Sequence, residues 1–229
     1  MSEIEKNLTT ILQQKDMAAL KALRDPNTIT IIAVSKGQPT EALYKAYQAG
    51  QRHFGESYAQ EMAQKISWAK SQGLTDIVWH FLGAIQTNKL NAIAQAHMIH
   101  SIGSIRHADC LNDVVASNMP VLLQVNLDQN PKRQGFFPGD VVMAAQKIQT
   151  LKNLHLVGLM CIAPQDEHHN AMFWFSYMKK LRQELSQRGF FDLKLSMGMS
   201  GDFHEAIACG ADYIRIGTAI FGLRNKKKL

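Results

Sequence analysis

The stretch Thr28-Ile-Thr-Ile-Ile-Ala-Val-Ser-Lys36 is the most hydrophobic strand-like run in the chain, and it ends on a lysine where a turn former is expected. A β-branched run of this length reads as a buried strand. Outward from it, short β-branched runs alternate with longer segments of helical period. Strands are expected at 29–35, 53–56, 77–82, 98–101, 121–126, 155–160, 193–196 and 213–216. Helices are expected at 40–49, 59–72, 89–96, 105–117, 140–150, 170–188 and 202–208, with the short AIFGLRN segment as the eighth and an extra N-terminal helix before Asp25-Pro26. Strict strand–helix alternation implies a parallel sheet, and eight repeats imply closure into a single (β/α)8 TIM barrel. The open doubly wound sheet is the alternative.

Several boundaries carry their own chemistry. Pro39 and Thr40 open one helix, Asp140 caps another, and Gly50, Gly73, Gly189 and Gly210 stop four. The 229 residues suit one domain, 1–229, comprising an N-terminal helix within 1–25, the barrel, and a basic tail at 223–229. The formal charge is +6, but Arg224, Lys226, Lys227 and Lys228 supply four of those charges, and setting them aside leaves +2. A nearly balanced body with a basic tail argues only weakly for nucleic acid, and a solvated tail is preferred to a binding arm. Cys110, Cys161 and Cys209 are odd in number and far apart, so they read as buried thiols rather than disulfides or a zinc site. No apolar stretch approaches a membrane span and the N-terminus is no secretory signal, so a cytoplasmic location is expected.

Barrel enzymes build their sites at the C-terminal ends of the strands. Those ends here gather Lys36, Glu56-Ser57, 83–86, Ser101, Asn126, Met160, 196–198 and Gly217-Thr218, with no dinucleotide or P-loop glycine pattern among them. A lysine titrates near 10.4 in water and is a poor nucleophile at neutral pH; desolvation at a barrel mouth makes its amine available to an aldehyde. Snorkelling to solvent is the competing reading for Lys36. Gly217-Thr218 after the last strand and Ser196-Met197-Gly198-Met199-Ser200 after the seventh form adjacent loops of the kind that cradle a phosphate on N–H groups and hydroxyls. Arg215 shares a face with Gly217 and so points into the barrel, where it needs an acceptor. A salt bridge to Glu56 or Asp212 would satisfy it, and so would a ligand nitrogen.

Taken together, AVSK ending at Lys36, FGESY at 54–58, WHFLGAIQTNK at 79–89, HS at 100–101, LLQVN at 122–126, GLM at 158–160, LSMGMSGD at 195–202 and RIGTAIFG at 215–222 resemble the pyridoxal phosphate homeostasis protein family. The resemblance runs from about residue 31 to residue 224. It implies a barrel similar to the N-terminal domain of alanine racemase, with pyridoxal 5'-phosphate held as a Schiff base on Lys36. It also implies that Ser200, Gly217 and Thr218 contact the phosphate, that Arg215 faces the pyridine nitrogen, and that Met197, Gly198 and Met199 form the loop beneath the phosphate. Asn126 and His80 match polar rim positions, although His80 by itself reads as a satisfied core histidine. Ser57 stands where relatives carry an amide, Gln38 where they carry a second lysine, and Lys132 and Arg133 occupy their basic loop.

The resulting expectation is a protein that stores, buffers or delivers pyridoxal phosphate without robust turnover. Racemisation needs a base on each face of the substrate carbon, and in alanine racemase the second, a tyrosine, comes from a C-terminal domain that this sequence lacks. A pyridoxal-phosphate enzyme such as a racemase or decarboxylase is the alternative, and a nucleic-acid or protein-interaction module a third. The partners expected are the small-molecule cofactor and, transiently, dependent apo-enzymes, on a monomer with neither nucleic acid nor membrane.

Overall fold

The structure, a computed structural model, describes residues 1–165 and 168–223. Apart from Leu223, the expected basic tail lies outside the described residues. The elements are α1 (Glu3–Lys21), β1 (Thr30–Val34), α2 (Thr40–Gln48), β2 (His53–Glu56), α3 (Ala59–Ser71), β3 (Val78–Phe81), α4 (Leu90–Ile93), β4 (Met98–Ile102), α5 (Ile105–Asn112), β5 (Met119–Val125), α6 (Val141–Gln149), β6 (Leu154–Cys161), α7 (Ala171–Gln187), β7 (Lys194–Ser196), α8 (Phe203–Ala208), β8 (Tyr213–Ile216) and α9 (Thr218–Phe221). The strands pair in chain order into a closed barrel, and β8 returns to β1 with Arg215 opposite Ile32 and Ile216 opposite Ala33. Each pairing is parallel, as the helical crossovers require.

Closure leaves each strand covered on both sides. Ile32, Ala33, Phe54, Phe81, Ile99, Leu122, Leu123, Leu195, Ile214 and Ile216 are all buried. Helix α1 is set by a capping box in which the Ser2 hydroxyl accepts from Glu5 N–H and the Glu5 carboxylate accepts from Ser2 N–H. It buries Leu8 and Ile11 and packs on α2, α8 and α9, each such side chain contributing about 1.5–3 kcal/mol. Among the described residues no helix is long and apolar enough to cross a membrane.

Some boundaries differ from expectation. Asp140 makes no side-chain cap bond, because Pro138–Asp140 already form a 3-10 turn leading into α6. The 89–96 segment is a 3-10 turn, Thr87–Lys89, followed by the single turn of α4. Helix α5 stops at Asn112, short of 117, where β-branched Val114 and Val115 precede Asn118 at φ +45°. Gly50, Gly73, Gly189 and Gly210 do end helices, all with positive φ. Cys161 and Cys209 are buried, whereas Cys110 is half-buried because its side of α5 is only partly covered.

Candidate functional site

Strand β1 ends at Val34, and Lys36 stands half-buried in the turn that follows. That turn is fastened from beneath. Lys65, buried on α3, donates to the Ser35 carbonyl at 2.6 Å, to Glu56 Oε1 at 2.7 Å and to Glu61 Oε1 at 2.7 Å. The Ser35 hydroxyl donates to Glu56 Oε1 at 2.6 Å, and the N–H of Gly37, at φ +69°, donates to Glu61. Residues 35 and 37 are thus pinned on either side of Lys36. Glu56 is fully buried and its Oε2 has no partner among the described residues. Burial pushes its carboxyl above the ordinary range, against the pull of Lys65 and Ser35.

Lys36 shares a small pocket of about 30 Å³ with Val34, Gln38, Gly217, Thr218 and Gly222. The β1–β8 seam therefore brings the first and last candidate residues together. Ser200 joins them from the β7 side, its hydroxyl accepting the Ala219 N–H at 3.3 Å. The loop between is shaped by Gly198: its φ is +90°, a Cβ there would lie 2.5 Å from the Ala206 Cβ, and its carbonyl accepts the Arg215 N–H at 2.9 Å. Met197 is buried, while Met199 is exposed and its N–H is held by Asp202 Oδ1 at 2.6 Å. Asp202 therefore turns back to the loop instead of capping α8.

Arg215 points inward and is 6% exposed. Neither expected acid meets it. Glu56 is taken by Lys65, and Asp212 binds Arg24 and Arg182 on the outside of the barrel. Among the described residues the guanidinium instead donates through Nη1 to Ser196 Oγ at 2.9 Å and through Nη2 to the Cys161 carbonyl at 2.7 Å. Burial lowers its pKa, while Cys161 and Asp202 oppose that through space. The buried Cys161 thiol is pushed up to about 12 and is no nucleophile.

Two candidates stand apart. Asn126 is buried after β5, where its Nδ2 donates to the carbonyls of Asn130 and Arg133 and shapes the 126–136 loop; its Oδ1 is buried without a partner among the described residues. It borders a second cavity of about 300 Å³ with Leu82, Arg133 and Ile162, a lining that does not include Lys36. Ser57 is half-buried after β2, its carbonyl 1.9 Å from where a Cβ on Gly83 would sit. Lys132 is exposed, and Arg133 pairs with Asp128 at 3.2 Å.

His80 is the satisfied core histidine that its own sequence context suggests rather than a rim residue: it is buried inside the barrel with both ring nitrogens hydrogen-bonded. It links His53 to His100, and His100 reaches Ser196. Sequence reasoning missed this chain and the Lys65 cluster. The signal was the histidine carried by each of three consecutive strands, HFGE, VWHF and MIHSI.

Comparison with known proteins bears on this geometry. The family model described as alanine racemase, N-terminal domain, matches residues 14–225. The pyridoxal phosphate homeostasis protein of Haemophilus influenzae is 40% identical over 233 residues, covering 97% of this chain and 96% of that one. PipY of Synechococcus elongatus, solved with PLP bound, superposes with a TM-score of 0.83 at 34% identity, covering 96% of this chain and all of that one. Alanine racemase from E. faecalis shares the fold at a TM-score of 0.69 and 16% identity, over 98% of this chain and 58% of its own.

Proposed function

The chain belongs to the pyridoxal phosphate homeostasis protein family, and on that premise we propose that it binds pyridoxal 5'-phosphate and buffers, stores or delivers it within the cell. The observation that carries this reading is the shared pocket of Lys36 and the Gly217-Thr218 turn, one amine and one cradle across the β1–β8 seam. When bound, the cofactor supplies an aldehyde that condenses with a primary amine, releasing water. Lys36 is that amine. Ser200, Gly217 and Thr218 hold the phosphate, with Met197, Gly198 and Met199 shaping the loop beneath it. Arg215 meets the pyridine nitrogen from the barrel interior, and Asn126 and Ser57 line the mouth farther off.

The residues suit the group in charge. A dianion is offered hydroxyls and N–H groups at the mouth, and among the described residues the hydrogen-bond partners of the buried Arg215 cation are neutral, so they do not cancel its charge. Residues 1–229 act as one barrel domain, monomeric and cytoplasmic, that meets dependent apo-enzymes transiently and has neither nucleic acid nor membrane as a partner. Turnover is not its role. Borohydride reduction of the cofactor-loaded protein followed by peptide mapping tests the reading: the pyridoxyl mass is expected on Lys36, and its appearance mainly on Lys132 would overturn the assignment.

A further inference from the structure

A line of polar side chains crosses the hydrophobic interior of the barrel from the site to its opposite end. Arg215 Nη1 donates to Ser196 Oγ at 2.9 Å, Ser196 Oγ lies 2.9 Å from His100 Nδ1, His100 Nε2 lies 2.9 Å from His80 Nδ1, and His80 Nε2 lies 3.0 Å from His53 Nδ1. Ser196 and His100 are fully buried and His80 nearly so. His53, the first residue of β2, is half-buried and ends the line. The Tyr213 ring packs against both His80 and His100, with centroids 6.0 and 5.6 Å away.

The protons along this line are determined. A guanidinium only donates, so Ser196 accepts from Arg215. Were His100 Nδ1 to donate as well, the single Ser196 proton would need a further acceptor, and none lies within reach among the described residues. Ser196 therefore donates to His100 Nδ1. Neutral His100 then carries its proton on Nε2 and donates to His80, and His80 donates to His53 in the same sense. Burial keeps His80 and His100 neutral, with His80 pushed down to about 3. In this polarity the hydroxyl and each imidazole turn their negative ends toward the guanidinium. The reverse polarity would aim three N–H dipoles at a buried cation. Aligned hydrogen bonds polarise one another, so the line as a whole substitutes for a carboxylate without cancelling the charge.

We infer that Ser196, His100, His80 and His53 are positioning residues: a hydrogen-bond chain of one polarity that solvates the Arg215 cation from the far end of the barrel and fixes its guanidinium beneath the site. The inference rests on the reading of Arg215 as the partner of the cofactor ring, but its first test does not involve the cofactor. Two-bond proton–nitrogen spectra of the ligand-free protein, with nitrogen-15 histidine, are expected to show His53, His80 and His100 all as neutral Nε2–H tautomers. An Nδ1–H tautomer at His100 would overturn the inference. The second test measures pyridoxal phosphate affinity and the absorption maximum of the bound cofactor. Ser196→Ala is expected to weaken binding by about tenfold or more, from the loss of a hydrogen bond to a charged donor, and to shift the band. His100→Asn, which keeps an acceptor near Nδ1, is expected to stay closer to the parent than His100→Leu. A folded Ser196→Ala protein with unchanged affinity and band would also overturn it. If that variant does not fold, the tautomers decide. If the parent protein binds no pyridoxal phosphate, the functional reading fails while the tautomers still judge the chain.

Discussion

The Lys65 ammonium donates to the main-chain carbonyl of Ser35 at 2.6 Å, one residue before Lys36. The candidate lysine is thus presented by a second lysine, which is itself 4% exposed and held by Glu56 and Glu61. Removing one partner of a buried ion pair strands the other, at a cost of about 3–5 kcal/mol. Lys65→Met is expected to lose that much in urea unfolding, whereas Glu61→Gln, at the more exposed pair, loses less. A loss under about 1 kcal/mol for Lys65→Met would mean that the pair behaves as a surface salt bridge.

The buried imidazoles set an acid limit. His80 is pushed down to about 3 in the fold by burial, first of all, and by His53 and His97, against an ordinary 6.5. Between those values the unfolded chain takes the proton and the folded chain does not, so stability is complete above about 6.5 and is lost as pH falls. One pKa unit is 1.36 kcal/mol, so His80 alone costs about 2 kcal/mol at pH 5. His100 adds to this in the same direction. The urea midpoint should fall from pH 7 to pH 5, and fall less steeply in His80→Gln. Parallel acid limbs in the two proteins would contradict this.

At the proposed phosphate cradle, Thr218→Val keeps shape and removes a donor. A hydrogen bond to a charged acceptor is worth about 1.5–3 kcal/mol, and pyridoxal phosphate affinity should drop accordingly. Pyridoxal, which lacks the phosphate, should bind the parent and the variant alike. Equal binding of pyridoxal and pyridoxal phosphate to the parent would refute the cradle.

Gly198 is required twice, by its φ of +90° and by the 2.5 Å to the Ala206 Cβ. Gly198→Ala should destabilise by about 1–3 kcal/mol, since the strain of a left-handed alanine adds to the displacement of a packed helix. Thermal unfolding measures it, and a gain in melting temperature would show that the loop relaxes freely.

Amino acids should perturb the absorption of the loaded protein while racemase, transaminase and decarboxylase assays stay at the free-cofactor background. Among the described residues Arg215 hydrogen-bonds to no carboxylate that would help protonate a ring nitrogen, and a guanidinium opposes that protonation. A turnover number of about 1 per second or more on any common amino acid would favour the enzyme alternative.

The barrel was legible because its signals are local: β2 and β8 fall at the expected 53–56 and 213–216, and four glycines stop helices where helical period ends. That Lys36, Gly217 and Thr218 stand at strand ends was legible for the same reason, since each lies within two residues of the end of β1 or β8. What escaped were partnerships between distant positions. Nothing in the sequence shows that Lys65, on a helix, reaches beneath Ser35, or that Ser196 rather than an acid receives Arg215. Asp140 reads as a cap, but it is the last residue of the 3-10 turn that leads into α6.

The pairing of β8 with β1 has a consequence in time. Lys36 emerges early in synthesis, whereas Thr218 and the strand beneath it arrive among the last residues described, and only their meeting creates the pocket. That contact spans nearly the whole chain, so its loop-closure entropy is met late in folding. Until then β1 and β7 are unprotected edges and Lys36 is an amine without a cradle. If the cofactor sits at the proposed site, its specific capture should report the completed ring, and a nascent chain halted before β8 should show none.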